Sequence, residues 1–402
     1  MPGHVSTKRF YIFDGTWCDR SSPGKPTILS SIVDIIQGKG REIRYFPGPG
    51  TRKGLAEKYI GGGLGRGIKT QIIEAIDHLV TNYSPGDEIV FICFSRGAYT
   101  GRSVVGFLDR LGIPECNKDV LHMLYDTYTS GQLRQRGVAD HLRVKYKCRQ
   151  VHVQALICVD TVGSLDIPYS GIYGVFKIIF PFIKKQDFME TNVSSVVQRM
   201  RHALALHEYR GSFEPTMMHV PENRGHVLQQ VWFLGSHADI GRDRETGSLG
   251  DIILAWILQQ LQDIPGMTFK EELLRVRFPR SSNPICAISD ADRHDWVHDP
   301  IKRSKTGIWH LLGTKTRQPG KYAKSGMVTN EWIHPTVRIR NYGMGTHDPV
   351  IKGYSHVTEP NGRVFWESGN MHNGGGSSNE VLRVPEAPWG DLEAYLLGIE
   401  LE

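Results

Sequence analysis

The sequence predicts an α/β protein in which a mostly parallel sheet is flanked by helices. Three observations carry this. Residues 9–13, 88–94, 151–159 and 228–234 are nearly continuous apolar runs, as suits strands covered on both faces. Segments with helical spacing of apolar residues follow or separate them, which favours right-handed crossovers within one sheet. Each run also ends in a polar loop, at Asp14, Ser95, Asp160 and His237, and in open α/β sheets functional groups collect beyond the carboxyl ends of the strands.

Taken in order, residues 9–13 form a strand ending at Asp14-Gly15-Thr16. Residues 42–46 form a second, before the turn Pro47-Gly48-Pro49-Gly50. Ile72, Ile73, Ile76, Leu79 and Val80 recur at helical spacing across 68–83, and Ser84-Pro85-Gly86 stops that helix. The strand 88–94 runs into a helix over 97–111. After the strand 151–159, residues 193–210 read as a helix, 228–234 as a strand and 249–261 as a helix. Beyond residue 263 the periodicity fades, and 373–378 (NGGGSS) reads as a loop. The expected organisation is therefore a catalytic core over 1–263 and a cap or extension packed on it over 264–402.

Bulk properties narrow the function classes. A net charge of +6 spread over 402 residues lacks the concentrated basic face of a nucleic-acid protein, and the basic stretch 302–324 reads as solvated surface. The six cysteines have no paired metal spacing and read as reduced residues. The first fifteen residues lead straight into a strand without the apolar segment of a secretory signal, which makes a cytoplasmic location the expectation. The most lipid-like segment, 173–183, falls short of the roughly 20 apolar residues that span a bilayer and contains Lys177.

The strongest chemical signal is Val90-Phe91-Ile92-Cys93-Phe94-Ser95-Arg96-Gly97-Ala98, a strand that meets a serine and turns at once into a helix. That is the context a nucleophile elbow needs, in which the turn lifts the hydroxyl above the sheet and the Arg96 amide could donate to a developing oxyanion. Cys93 stands where the usual pattern has its first glycine. Read otherwise, Ser95 simply caps the helix. A serine hydroxyl needs a base and an orienting acid, and chain order nominates Asp160 and then His237, each at the end of a later strand. His334 is the rival base. Asp239, two residues from His237, is the rival acid and fits better as a group that fixes the loop. At the first strand end, Gly15 or Thr16 offers a second oxyanion amide with Asp14 holding the loop, or the three residues form a plain Asx turn. Thr16 stands where a haloacid-dehalogenase phosphatase needs its second aspartate, and Ile68 interrupts the Gly-Lys-Thr of a phosphate loop, so neither reading survives.

These residues resemble an alpha/beta-hydrolase family of largely uncharacterised bacterial and fungal proteins that includes a class of type VI secretion phospholipase effectors. The resemblance rests on FDGTW (13–17), RYFPGPGT (44–51), GGGLGRGI (61–68), PGDEI and FSRGAYTGRS (85–103), DTVGS (160–164), ALALHE (203–208) and VWFLGSHADIG (231–241). The sequence departs from the family at Cys93, at His207 where aspartate is common, and at Gly241-Arg242-Asp243. The resemblance implies an alpha/beta-hydrolase-like fold and a Ser95-Asp160-His237 triad, acting on a small-molecule or lipid acyl ester. No cofactor, metal or nucleic acid is expected, and transient contact with a membrane surface is. An aromatic and aliphatic segment over 169–195 is expected as a lid or, alternatively, as a helix packed on the core. The competing functions are a small-metabolite esterase, lactonase or thioesterase, a metal-dependent phosphoesterase built on Asp14, His237 and Asp239, and a catalytically silent interaction protein.

Overall fold

The computed structural model describes residues 6–16, 18–21, 26–49, 63–163, 195–243, 249–278, 299–301, 314–343, 351, 353–368 and 381–399. The segment expected as a lid lies outside these residues, apart from Ser195. The strands are β1 (Lys8–Phe13), β2 (Arg41–Phe46), β3 (Glu88–Phe94), β4 (Val153–Val159), β5 (Met200–Ala205), β6 (Val220–Pro221), β7 (Leu228–Phe233), β8 (Met327–Val328), β9 (Glu331–Ile333), β10 (Tyr354–Thr358), β11 (Val364–Ser368) and β12 (Arg383–Pro385). Seven of them form one sheet in the order β2-β1-β3-β4-β5-β7-β9. The pairs β1 with β2, β1 with β3, β3 with β4 and β7 with β9 are parallel, so this is an α/β fold with a mostly parallel sheet flanked by helices.

The chain divides into two compact units that do not follow chain order. The first comprises Met1–Lys25, Gln37–Met200 and Ser212–Met218, and the second Pro26–Ile36, Arg201–Gly211 and His219–Glu402. In the first unit β1, β3 and β4 are almost wholly buried. Phe13 stacks on Phe46 with ring centroids 4.5 Å apart. At the amino edge, buried Arg9 donates from Nε to Asp87 Oδ2 at 2.7 Å. Asp87 also accepts from the amides of Thr7 and Ser84, each at 2.9 Å. This carboxylate closes the Ser84-Pro85-Gly86 turn and ties it to β1, so a charged pair is buried with its hydrogen bonds made.

In the second unit, the helix Leu249–Gln262 is apolar around most of its circumference and is buried accordingly. It packs against the helices Ile28–Ile36 and Asp391–Leu397, and Trp256 meets Phe233 of β7 edge-on at 5.4 Å. Strands β10, β11 and β12 form a separate antiparallel sheet, while β6 and β8 pair alone. The region beyond residue 263 thus supplies β9 to the large sheet as well as its own structure.

One element differs in kind from the sequence expectation. Residues 193–210, read as a helix, contain strand β5. Met, Arg, Ala and Leu are good helix formers, but here both faces of Met200–Ala205 are covered, and burial within the sheet overrides propensity. The buried polar side chain His202 is satisfied by Gln230 of β7, with Nδ1 3.0 Å from Oε1.

Two predictions follow from packing and charge. A β-carbon at Gly97 would lie 2.3 Å from the Phe13 carbonyl oxygen and 2.4 Å from that of Asp14. Gly97→Ala should cost roughly 1–3 kcal/mol in urea denaturation, the usual price of overpacking, and an unchanged midpoint would refute the contact. Asp251 is buried, and burial together with the nearby charges of Asp243 and Asp299 outweighs its ion pair with Arg277, raising its carboxyl to about 7. The folded state then holds a proton that an unfolded aspartate has lost above about 3.9. Stability should therefore fall as pH rises from about 4 to about 7, by at most about 1.4 kcal/mol per pH unit. Asp251→Asn should flatten that slope, and an unchanged slope would rule this carboxyl out as its source.

Candidate active site

In the first unit, β3 delivers Ser95 to the start of the helix Arg96–Leu111 with φ 57° and ψ −123°. A non-glycine residue in this region carries strain of order 1–3 kcal/mol, so the surrounding contacts must fix it. They do so from several sides. The Ser95 amide donates to the Val159 carbonyl at 2.9 Å, and the Ser95 carbonyl accepts from Ala98 at 3.1 Å as the helix begins. Gly97 lets the helix touch the carbonyls that end β1. Cys93, the departure from the glycine pattern, is accommodated one helical turn further on: a β-carbon at Gly101 would lie 2.4 Å from its Sγ. The bulk added on the strand is matched by bulk absent from the helix.

Asp160 follows β4 directly, buried and with φ 40°. Cys158, just before it, is the register partner of Cys93. Burial pushes the Cys93 thiol up. At Cys158, burial is outweighed by the hydrogen bond with Cys93 and the charge of Arg102, which lower that thiol. Buried Arg102 also donates to the carbonyls of Thr216 and Met217, and the Thr216 amide donates to the Thr161 carbonyl at 2.9 Å. The helix that carries Ser95 thereby pins the backbone just past Asp160.

The loop after β1 completes this group. Asp14 is buried, and its carboxylate accepts from the Gly15 amide and from the Tyr45 hydroxyl, each at 2.6 Å. The Gly15 amide is therefore engaged. Arg96 donates from Nη1 to Thr16 Oγ1 at 2.9 Å, so its guanidinium bridges the elbow to this loop.

In the second unit, β7 leads through Gly235, at φ 101°, to His237 at the start of the short helix His237–Gly241. Asp239 Oδ2 accepts from the Ser236 amide at 2.9 Å and from its hydroxyl at 2.8 Å. This carboxylate closes the helix start as a capping box does. The rival base His334 has both ring nitrogens engaged, Nδ1 with Thr336 Oγ1 and Nε2 with Glu393 Oε1, each at 2.7 Å, and stacks on Phe233.

A residue missed by the sequence reading stands beside His237. Glu208 follows β5, whose end runs alongside the end of β7: the His207 amide donates to the Gly235 carbonyl at 2.9 Å, and the Gly235 amide donates to His207 Nδ1 at 3.1 Å. Glu208 is buried. Burial opposes its ionisation, but hydrogen bonds and charge from Arg210, at 2.8 and 2.9 Å, prevail with help from the charge of His237, and the carboxyl is lowered. The signal lay in Leu206-His207-Glu208-Tyr209-Arg210, an acid and a base two residues apart immediately after a strand.

Among the described residues, no group of three or more His, Cys, Asp or Glu side chains is arranged to hold a metal ion, and no helix is long and apolar enough to cross a membrane.

Comparison with known proteins places these residues in context. The uncharacterized protein YEL023C of Saccharomyces cerevisiae is 24% identical over 159 residues, which are 37% of this chain and 21% of that protein. An uncharacterized protein from Pseudomonas aeruginosa superposes with a TM-score of 0.36 at 13% identity, covering 62% of this chain and 44% of the other. The Tle1 effector, solved bound to the VgrG spike of the type 6 secretion system, gives 0.34 at 18% identity, covering 61% and 53%. The chain thus spans about a fifth of the yeast relative and about half of each solved chain. The model of the type VI secretion system phospholipase effector Tle1-like catalytic domain matches residues 8–260, from β1 through the helix Leu249–Gln262, and the chain belongs to that family.

Proposed function

We propose that this protein is a lipid-ester hydrolase of the serine type, with Ser95 as nucleophile, His237 as general base and Asp160 as the acid that orients the imidazole. The observation that carries the reading is the backbone of Ser95, held at φ 57° between a buried strand and a helix within the region matched by a phospholipase family. His237 takes the proton as Ser95 Oγ attacks the ester carbonyl carbon. The resulting oxyanion is held by the Arg96 amide at the helix start, with Thr16 as the second donor because the Gly15 amide is bound to Asp14. Collapse breaks the bond to the alcohol, which leaves with the proton from His237. Water then attacks the acyl-enzyme, His237 takes its proton, and the carboxylic acid departs as Ser95 is regenerated. Asp14, Arg96 and Asp239 position the backbone. Glu208 adds a second negative charge that favours the imidazolium formed in each step. The substrate is a lipid acyl ester met at or near a membrane surface. Short-chain metabolite esters are the alternative, and a comparison of short and long acyl chains separates the two.

Intact mass after treatment with a fluorophosphonate should show one adduct on the wild type and none on Ser95→Ala or His237→Ala, with ester hydrolysis falling at least a thousandfold in both. Absence of an adduct on folded protein, with chelator-sensitive activity, would overturn the serine reading in favour of a metal-dependent phosphoesterase. Glu208→Gln removes a negative charge near His237 that favours the imidazolium formed in each step, so kcat should fall several-fold with KM little changed. An unchanged kcat would assign Glu208 a purely structural role.

A further inference from the structure

A cavity of about 690 Å³ lies in the second unit, formed beside β9 and β11 by residues beyond the matched family region. Its volume falls within the range of about 300–1,000 Å³ typical of small-ligand sites. The walls are held by backbone hydrogen bonds. The Glu386 amide donates to the Val364 carbonyl and the Ala387 amide to the Ile333 carbonyl, each at 2.8 Å. Trp332, Phe365, Pro388 and Trp389 supply much of the lining. Trp389 is set edge-on against His334 at 5.0 Å, and the Trp332 indole N–H donates to Asn330 Oδ1 at 3.2 Å. The site is therefore formed before any ligand arrives.

The lining carries three charged side chains, Arg338, Arg363 and Glu386. Arg338 and Glu386 neutralise each other through three contacts of 2.9–3.1 Å. Arg363 is exposed at the rim, and the carboxylate whose field it shares, Glu359, is bound directly by Arg383 at 2.5 Å. A sugar or peptide could stack on these rings but needs hydrogen-bonding side chains to orient it, and the Arg338–Glu386 pair is already joined. An apolar chain would lose water against the indoles and proline rings, and an anionic end would find the Arg363 guanidinium. The geometry points to a binding site for a long-chain fatty carboxylate, its chain between Trp332 and Trp389 and its carboxylate at Arg363. The proposal goes beyond the esterase reading and stands without it, since none of these residues enters the catalytic steps.

The test is quenching of tryptophan fluorescence by monomeric dibromostearic acid in full-length protein carrying Ser95→Ala, with stearic acid as the non-quenching control. Saturable quenching is expected, unchanged when the wild-type serine is capped by a fluorophosphonate, and reduced to background in a Trp332→Phe, Trp389→Phe double variant of unchanged thermal midpoint. Arg363→Glu, at an exposed position and with both indoles retained, should weaken binding at least tenfold and keeps the proposal testable if the double variant does not fold. No quenching, quenching that survives loss of both indoles, or quenching abolished by capping the serine would overturn it. So would equal affinity for the brominated alcohol, or quenching by brominated-lipid vesicles with none by the monomeric acid.

Discussion

The absence of a side chain at Gly97 is the constraint on which the Ser95 turn depends. The helix Arg96–Leu111 can start where it does because it rests on the carbonyls of Phe13 and Asp14, closer than any β-carbon allows. That contact brings the ends of β1 and β3 to the same point as the serine. The strained backbone of Ser95 is the geometric consequence of turning from strand to helix in one residue, and the Val159 carbonyl holds its amide in place. Stability is given up at one residue and recovered from the buried strands around it.

The same economy explains a departure from the family pattern. Nucleophile elbows favour glycine two residues before the serine because the helix passes over that position. Here Cys93 occupies it, and Gly101 vacates the space on the helix side. In this chain the space at the elbow is shared between two elements, and Cys93 fits because its neighbour across the strand-helix contact is a glycine.

Much of the large sheet was legible because its strands are covered on both faces, and continuous apolar runs ending in polar residues have few other meanings. The strand ends at Asp14, Ser95, Asp160 and His237 were readable for that reason. Strand β5 was not, since Met-Arg-His-Ala-Leu-Ala carries helix-forming residues and its extended form is imposed by burial in the sheet. Glu208 has a local signal in its pairing with Arg210, but its place beside His237 comes from β5 running next to β7, which the sequence around it does not encode. Strands as short as β8, β9 and β12 leave too few residues for periodicity to register. The partners of the His334 ring were only half readable, since Thr336 lies two residues away but Glu393 comes from a helix near the end of the described chain.

The interleaving of the two units has a consequence for synthesis. The helix Ile28–Ile36 buries seven of its nine residues in a unit whose other parts lie beyond residue 200, including the helix Leu249–Gln262 on which it packs. At a ribosomal rate of about 5–20 residues per second, that apolar face waits roughly 10–40 s for its partner. During this interval the nascent chain presents a sticky surface that the unit around it has no means of covering. Its passage from the ribosome to the folded state is thus a matter of timing as well as of energy.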